Sequence, residues 1–591
     1  MLSDNKIKQA IEQNNLLDAE RIKQFETKAA EKNQPLDEFL IGNNIITEEI
    51  LYSSVAMMDN VPFINLKDKT IPKDVLFLIP EPISSAYHII AFEKTSECVS
   101  VAMVDSEDIQ TIEFIKRKVS LPIKVYVATP TGISEAGKAY HQSLEKELES
   151  INKKTGINVE SQIANKKLGQ NGEKSSIDLE EAAKDMPVIR VVDTLLEYAI
   201  FESASDIHIE PNEKSVSVRF RTDGILREVM TLPKKLQDGI LARVKILANL
   251  KLDEHRLPQD GRFKIETKDY RISFRVSIIP VFDGEKLVMR LLDEGKKILN
   301  LEELGLNKAA LEILKINLSK PNGMILVTGP TGSGKTTTLY TMMNILNTPK
   351  VNISTIEDPI EYRMPRVNQS QANSKIDFTF AKGLRALLRQ DPDIIMVGEI
   401  RDKETASIAI NSAMTGHLVL STLHTNDAAT TLPRLLDMGI EPFLVSSTVN
   451  IIIAQRLVRK ICKHCMASYR MNDQEAAQLE KEHGINIKEL SASLSRAEKG
   501  AQDEKGISGT LFFKGKGCTK CASQGYKGRI GIYEIINMTD EIKHLVAQRG
   551  TAGDIFTKAR EQGMMTMMED GFLKAKAGVT TIEEILRVTK E

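Results

Sequence analysis

Apolar and polar positions follow two different periods along this chain, and the period changes at definite places. In "LDEFLIGNNIITEEILYSSVAMM" (36–58) apolar residues recur at helical spacing on both sides of Gly42-Asn43-Asn44. Two short helices with a turn between them are expected, the second capped by Thr47 with Glu48 and Glu49 in its first turn. "CVSVAMVD" and "IKVYVAT" read as strands around the helical stretch "IQTIEFIKRKV". Residues 1–140 therefore predict an α/β module. From 141 to 184 the periodicity gives way to Lys, Glu, Asn, Gly and Ser. That stretch carries too little apolar surface to offset the entropy of ordering it, so a mobile linker is expected. At 185 the pattern resumes with the helix "VIRVVDTLLEYAIFES". Alternating segments follow, "SVSVRFRTDG", "GRFKIETKDYRISFRVSIIP" and "EKLVMRLL", and predict a small α+β domain ending near 295. From 300 to 591 short apolar strands such as "MILVT" alternate with helices, the pattern of a parallel, doubly wound sheet.

Composition changes this picture only at the edges. The 591 residues, 41% of them apolar, suffice for several packed cores. Basic and acidic residues nearly balance, 79 against 81, for a formal charge of -2, so bulk attraction to polyanions is not expected. No apolar run approaches the roughly 18–20 residues that cross a bilayer, and "MLSDNKIKQAIEQNNLLDAERIK" has no signal core. A cytoplasmic protein, held at a membrane by partners if at all, is expected.

The chemistry begins at Gly329-Pro330-Thr331-Gly332-Ser333-Gly334-Lys335-Thr336, a match to GxxxxGK[ST] between the strand "MILVT" and a helix opened by Thr336 and Thr337. Glycines let successive N–H groups turn toward an anion, and the helix N-terminus adds partial positive charge. Lys335 is expected on the β/γ-phosphates and Thr336 on Mg²⁺. Two strands end in acids: Ile394–Val397 in Gly398-Glu399, and "ISTIEDPIEY" in Glu357, Asp358 and Glu361. Acids at strand ends beside a phosphate loop suit a general base and a metal shell. A further strand, Leu418–Thr422, is bracketed by His417 and His424, either of which can reach a terminal phosphate.

Taken together, "GPTGSGKTTTLY", "IEDPIEY", "LRQDPDIIMVGEIRD" and "TGHLVLSTLHTND" closely resemble the secretion ATPase superfamily, in the order Walker A, Asp box, Walker B and His box. "ASDIHIEP" and "RFRTDG" resemble its smaller N-terminal domain. The resemblance implies an α/β multidomain chain. A RecA-like P-loop core would follow a small α+β (PAS-like) domain and an N-terminal α/β secretion-ATPase leading domain. It implies a homo-hexamer that hydrolyses ATP with Mg²⁺ at the inner membrane. The work would turn a platform protein among other membrane-anchored components. It also implies Glu357 as general base, Glu399 on the metal and its water, and His424 as a catalytic contact. The cysteine pairs and leading domain resemble assembly and secretion motors rather than retraction motors. Type IV pilus assembly is expected, with type II secretion as the alternative. The near-neutral charge and the absence of Trp count against a nucleic-acid motor. Some leading modules of this kind bind cyclic di-GMP through Arg, Gly and Gln. Gln34 or Pro35, Asp37, Asn44 and Met57 stand at those positions here, so dinucleotide binding is doubtful and partner docking is expected.

Alternation places Arg219 and Arg221 on one strand face with Val216, Val218 and Phe220 on the other, and groups Arg271 with Arg275 likewise. A cationic wall from these strands could close over a γ-phosphate as arginine fingers do, or could be a solvated face with local ion pairs. Four of the five cysteines form "CKHC" and "CTKC", so Cys462, Cys465, Cys518 and Cys521 can hold one structural Zn²⁺ within a subdomain at 455–530, the insert 466–517 looping out. Cys98 reads as a packed strand thiol. The methionines of "MMTMMEDGFLKAKAG" read as core filler.

Overall fold

The computed structural model describes residues 2, 4–140 and 186–590, apart from 32–33, 68, 80–82, 85–86, 120, 138, 267–270, 296–297, 484–508 and 522. The expected linker 141–184 lies outside the described residues. Two compact units emerge: Met1–Asp293 with Lys516–Gly525 forms one, while Glu294–Gly515 and Tyr526–Glu591 build the other.

The first unit opens with helices Asp4–Gln13, Ala19–Glu31, Leu36–Gly42 and Glu48–Met58. Thr47 caps the last of them by accepting from the Ile50 N–H, and Asn44 takes the left-handed turn conformation at φ 55°. A three-stranded sheet follows: β1 (Ile89–Lys94) runs antiparallel to β2 (Val99–Met103), and β2 parallel to β3 (Ile123–Val127). Cys98 sits one residue before β2, half-buried beside Thr95, rather than in the strand. After the helix Met186–Phe201 come β4 (Asp206–Pro211), β5 (Ser215–Thr222), β6 (Ile225–Pro233), β7 (Gln259–Glu266), β8 (Arg271–Val281) and β9 (Gly284–Asp293). They form one antiparallel sheet in the order β6-β5-β4-β9-β8-β7. Val216, Val218 and Phe220 of β5 and Ile272, Phe274 and Val276 of β8 are buried, as the period of two requires. Tyr198 of the preceding helix meets Phe220 with ring centroids 5.5 Å apart, which places that helix on the apolar face.

The second unit is organised by one seven-stranded sheet. Its strands are β10 (Gly323–Thr328), β11 (Ile353–Glu357), β12 (Val367–Gln371), β13 (Ile394–Val397), β14 (Leu418–Leu423), β15 (Val449–Ile461) and β18 (Tyr526–Asn537). A two-stranded hairpin, β16 (Met466–Arg470) with β17 (Leu511–Gly515), lies between β15 and β18 in sequence. The sheet order is β12-β11-β13-β14-β10-β15-β18, parallel throughout except for β18 against β15. β10, β11, β13 and β14 are buried at every position, because helices cover both faces of a parallel sheet. The chain leaves β10 in the middle of the sheet and returns in β11, with β13 and β14 lying between the two. The crevice at this reversal of strand order is where open α/β sheets bind ligands. Met564 and Met567 lie in the core, as filler. Among the described residues no helix is long and apolar enough to cross a membrane.

Candidate active site

The parallel register brings four carboxyl ends to one rim: Thr328 leads into the phosphate loop, Glu357 ends β11, Gly398-Glu399 follow β13, and His424 follows β14. Gly329, Gly332 and Gly334 have φ of 142°, 79° and 90°, conformations that side chains disfavour. At Gly329 a Cβ would also sit 2.5 Å from the Gln455 carbonyl oxygen, so the loop needs glycine for space as well. Gly332 faces open space instead. Lys335 folds back, donating to the Gly329 carbonyl at 2.7 Å and the Pro330 carbonyl at 3.1 Å. Burial pushes its ammonium down to about 8, against the pull of the Glu399 carboxylate. Ser333 is buried, and its hydroxyl has no hydrogen-bond partner among the described residues. A desolvated cation, an unused hydroxyl and a loop of left-handed glycines opening the helix Lys335–Leu346 fit a phosphate.

The two strand-end glutamates occupy different surroundings. Glu357 is 2% exposed. Tyr340 donates to its Oε2 at 2.5 Å; Thr355 and Gln369 donate to its Oε1 at 2.6 and 3.1 Å. Burial raises its proton affinity, and the three donors oppose that rise. Glu399 is 9% exposed and pairs with Arg401 Nη2 at 2.6 Å and His424 Nε2 at 3.3 Å. Gly398, between them, donates its N–H to the Ile356 carbonyl at 2.8 Å; a Cβ there would lie 3.3 Å from the Glu357 Cα.

The His424 loop is fastened to the end of β10 by hydroxyls. Thr328 Oγ1 lies 2.6 Å from Thr425 Oγ1 and accepts from the Thr425 N–H at 2.9 Å; Thr425 Oγ1 lies 2.8 Å from Thr431 Oγ1. His417 has a local partner instead: its Nδ1 lies 2.9 Å from the Ser412 carbonyl oxygen. Arg401, Tyr340, Gln369 and Thr425 were not singled out in the sequence. Arg401, Thr425 and Tyr340 lie within "GEIRD", "LHTND" and "GPTGSGKTTTLY", beside or near chosen residues; Gln369 had no signal.

In the first unit Arg219 and Arg221 share a face as expected, and both are engaged. Glu210 holds Arg219 at 2.7 Å; Asp206 lies 3.4 Å from Arg221 Nε, and Arg221 Nη1 donates to the Gly224 carbonyl at 3.0 Å. Register extends the row: Arg221, Asp206, Arg290, Arg275 and Arg262 are successive cross-strand partners, of which the sequence reading passed over Asp206, Arg290 and Arg262. Arg290 donates to Asp206 at 2.9 Å. Arg271 pairs with Glu266 on the neighbouring strand. In the leading domain Asp37 is buried, accepting from Tyr52 at 3.2 Å and from the Glu38 N–H at 2.9 Å, which is core work.

The pairing of Ile461 with Tyr526 brings the ends of β15 and β18 together, and the cysteines follow from there. The sulfurs of Cys462, Cys465, Cys518 and Cys521 lie within 4.8 Å of one another. The Cys518 and Gly525 N–H groups both donate to Cys521 Sγ at 3.2 Å. Four converging sulfurs with backbone donors fit a closed tetrahedral zinc site.

Residues 181–587 match the family model described as Type II/IV secretion system protein, and residues 60–146 match the MshEN domain. The type IV pilus assembly ATPase PilB of Myxococcus xanthus is 39% identical over 574 residues, 97% of this chain and 96% of that protein. PilB of Pseudomonas aeruginosa is 37% identical over 98% of this chain and 97% of its own length. Type II secretion system protein E of the same organism is 45% identical over 70% of this chain and 78% of that protein. Among solved structures, the pilus retraction motor PilT with bound ADP covers 68% of this chain and 97% of its own at 26% identity and a TM-score of 0.45.

Proposed function

The chain belongs to the type II/IV secretion system protein family, and on that premise we propose that it is a ring-forming ATPase powering type IV pilus assembly. One observation carries the activity: four strand ends gather Lys335, Glu357, Glu399 and His424 around a loop shaped for phosphate. Lys335 would neutralise the β/γ-phosphates, and the loop N–H groups would cradle them. Mg²⁺, held at Thr336, would supply further charge neutralisation on the transferring group. Glu357 would take the proton of the attacking water. Burial suits it by raising its proton affinity, and it acts by exchanging one of its donors for that water. Glu399, fixed by Arg401 and His424, would order the metal's water. Arg219 and Arg221 would leave Glu210 and Asp206 to meet a γ-phosphate of the same or a neighbouring subunit. Zn²⁺ on the four cysteines would be structural.

End-to-end similarity favours pilus assembly: two PilB proteins align over 97% and 98% of this chain, while the type II protein E aligns over 70%. The higher identity of that shorter stretch, 45%, supports type II secretion as the second reading. A homo-hexamer in the cytoplasm, docked through its leading domain to membrane-anchored partners and driving a platform protein, completes the proposal. Phosphate release by the wild type with Mg²⁺, lost in Lys335→Ala, tests the activity; equal release by both rejects it. Loss of pili with intact protein export in a deletion strain tests the machine, and the reverse phenotype selects secretion.

A further inference from the structure

Gln455 is an amide in the apolar run "IIIAQRLV" and is 1% exposed. It stands on β15 one residue beyond Ala454, which pairs with Thr328 at the end of β10. That puts it level with the start of the phosphate loop. Its contacts reach both ends of the loop. Its carbonyl oxygen occupies the space a Gly329 Cβ would need. Its Nε2 donates to the Ser333 carbonyl at 2.8 Å, and its Oε1 accepts from Thr338 Oγ1 at 2.8 Å, in the first turn of the following helix. A Cβ on Gly334 would approach the same Nε2 at 3.2 Å. The Ser333 carbonyl can only accept, so it fixes which end of the amide faces it, and the Thr338 hydroxyl takes the other.

We propose that Gln455 is a positioning residue for ATP: it sets the direction of the Gly334 N–H. A trans peptide is planar, with its C=O and N–H pointing opposite ways. Holding the Ser333 carbonyl against β15 therefore turns the Gly334 N–H away from β15, into the cradle. The Thr338 bond keeps the amide from rotating, and thereby ties loop, helix and strand into one unit. The inference rests on the reading of this loop as a nucleotide site. Gln455 touches no substrate, so it contributes equally to the ground and transition states, and its loss appears in KM rather than kcat.

The test uses the full chain with Mg²⁺, a fluorescent ATP analogue for Kd, and phosphate release for KM and kcat. Gln455→Leu, which keeps the volume and removes both bonds, is expected to raise Kd and KM about tenfold with kcat nearly unchanged. Thr338→Val, which leaves the Ser333 bond, is expected to raise them about threefold. Gln455→Glu keeps the acceptor for Thr338 but sets an oxygen against the Ser333 carbonyl. It is expected to weaken binding at least as much as Gln455→Leu, and it carries the test if the leucine variant does not fold. A lower Tm with Kd and KM within twofold of wild type overturns the proposal, provided Lys335→Ala still abolishes binding. If the wild type binds no nucleotide, the reading of the loop falls, and this inference falls with it.

Discussion

Glu357 and Glu399 stand at the carboxyl ends of neighbouring parallel strands, β11 and β13. They are the same residue type at the same topological address, yet the fold surrounds them differently. Glu357 is enclosed by neutral donors from Tyr340, Thr355 and Gln369. Glu399 lies nearer the rim, between Arg401 and His424 and within the electrostatic reach of Lys335. Burial raises the proton affinity of Glu357 and its neutral donors only partly offset that rise, whereas Glu399 is held in ion-pair geometry by a guanidinium and an imidazole. Position in the sheet brings a carboxylate to the rim, and its neighbours decide which task it is fitted for.

The sharpest attack on this contrast is Glu357→Gln. A lost general base should lower kcat by about 10³-fold while ATP still binds; a drop in Tm alone, with kcat retained, reduces Glu357 to a structural role. The arginine row extends the contrast to the first unit, where Glu210 and Asp206 hold Arg219 and Arg221. The double variant Arg219→Ala/Arg221→Ala should lower kcat about 10²-fold and spare Kd, less than a lone arginine finger supplies because Arg290 and Arg275 remain in the row. Unchanged kcat at saturating ATP makes the row a set of ordinary ion pairs. Glu399→Gln should cost about 10- to 100-fold, with the Mg²⁺ concentration for half-maximal rate shifted upward. An effect on kcat as large as that of Glu357→Gln, without the Mg²⁺ shift, reverses the two roles.

Tyr340→Phe addresses the same pair more gently. It removes a donor that lowers the proton affinity of Glu357, so more of the carboxyl is protonated at a given pH. The acidic limb of kcat/KM should move to higher pH, with activity several-fold lower on that limb and recovered above it. A uniform fall across the pH range contradicts Glu357 as the titrating group. The smallest effect on turnover is expected at the cysteines. Elemental analysis should find about one zinc per chain. Cys462→Ser should release the zinc and lower Tm while leaving Kd for ATP in place, and a metal-free wild type would remove zinc from the account.

Much of this was legible before the structure. Continuous apolar runs, each ending at a glycine, marked β10 and β13, and the period of two in "SVSVRFRT" put Arg219 and Arg221 on one face. Those features are local, so spacing reveals them. Several partners were not legible, because they come from other elements. Tyr340 reaches Glu357 from the helix behind the phosphate loop, and Asp206 reaches Arg221 through strand pairing. Cys98 was misplaced by one residue because a short apolar run does not mark where pairing begins.

By itself, then, the sequence determined the loop that can hold a phosphate, the acids and histidine available to it, and the four sulfurs available to a metal, since each depends on residue type and short-range backbone freedom. Only the tertiary structure decided which carboxylate is sheltered, which is salt-bridged, and which amide braces the loop. Those properties arise from solvent exclusion and from hydrogen bonds between segments up to 122 residues apart, as Gln455 and Ser333 are, and they exist only once the sheet has assembled.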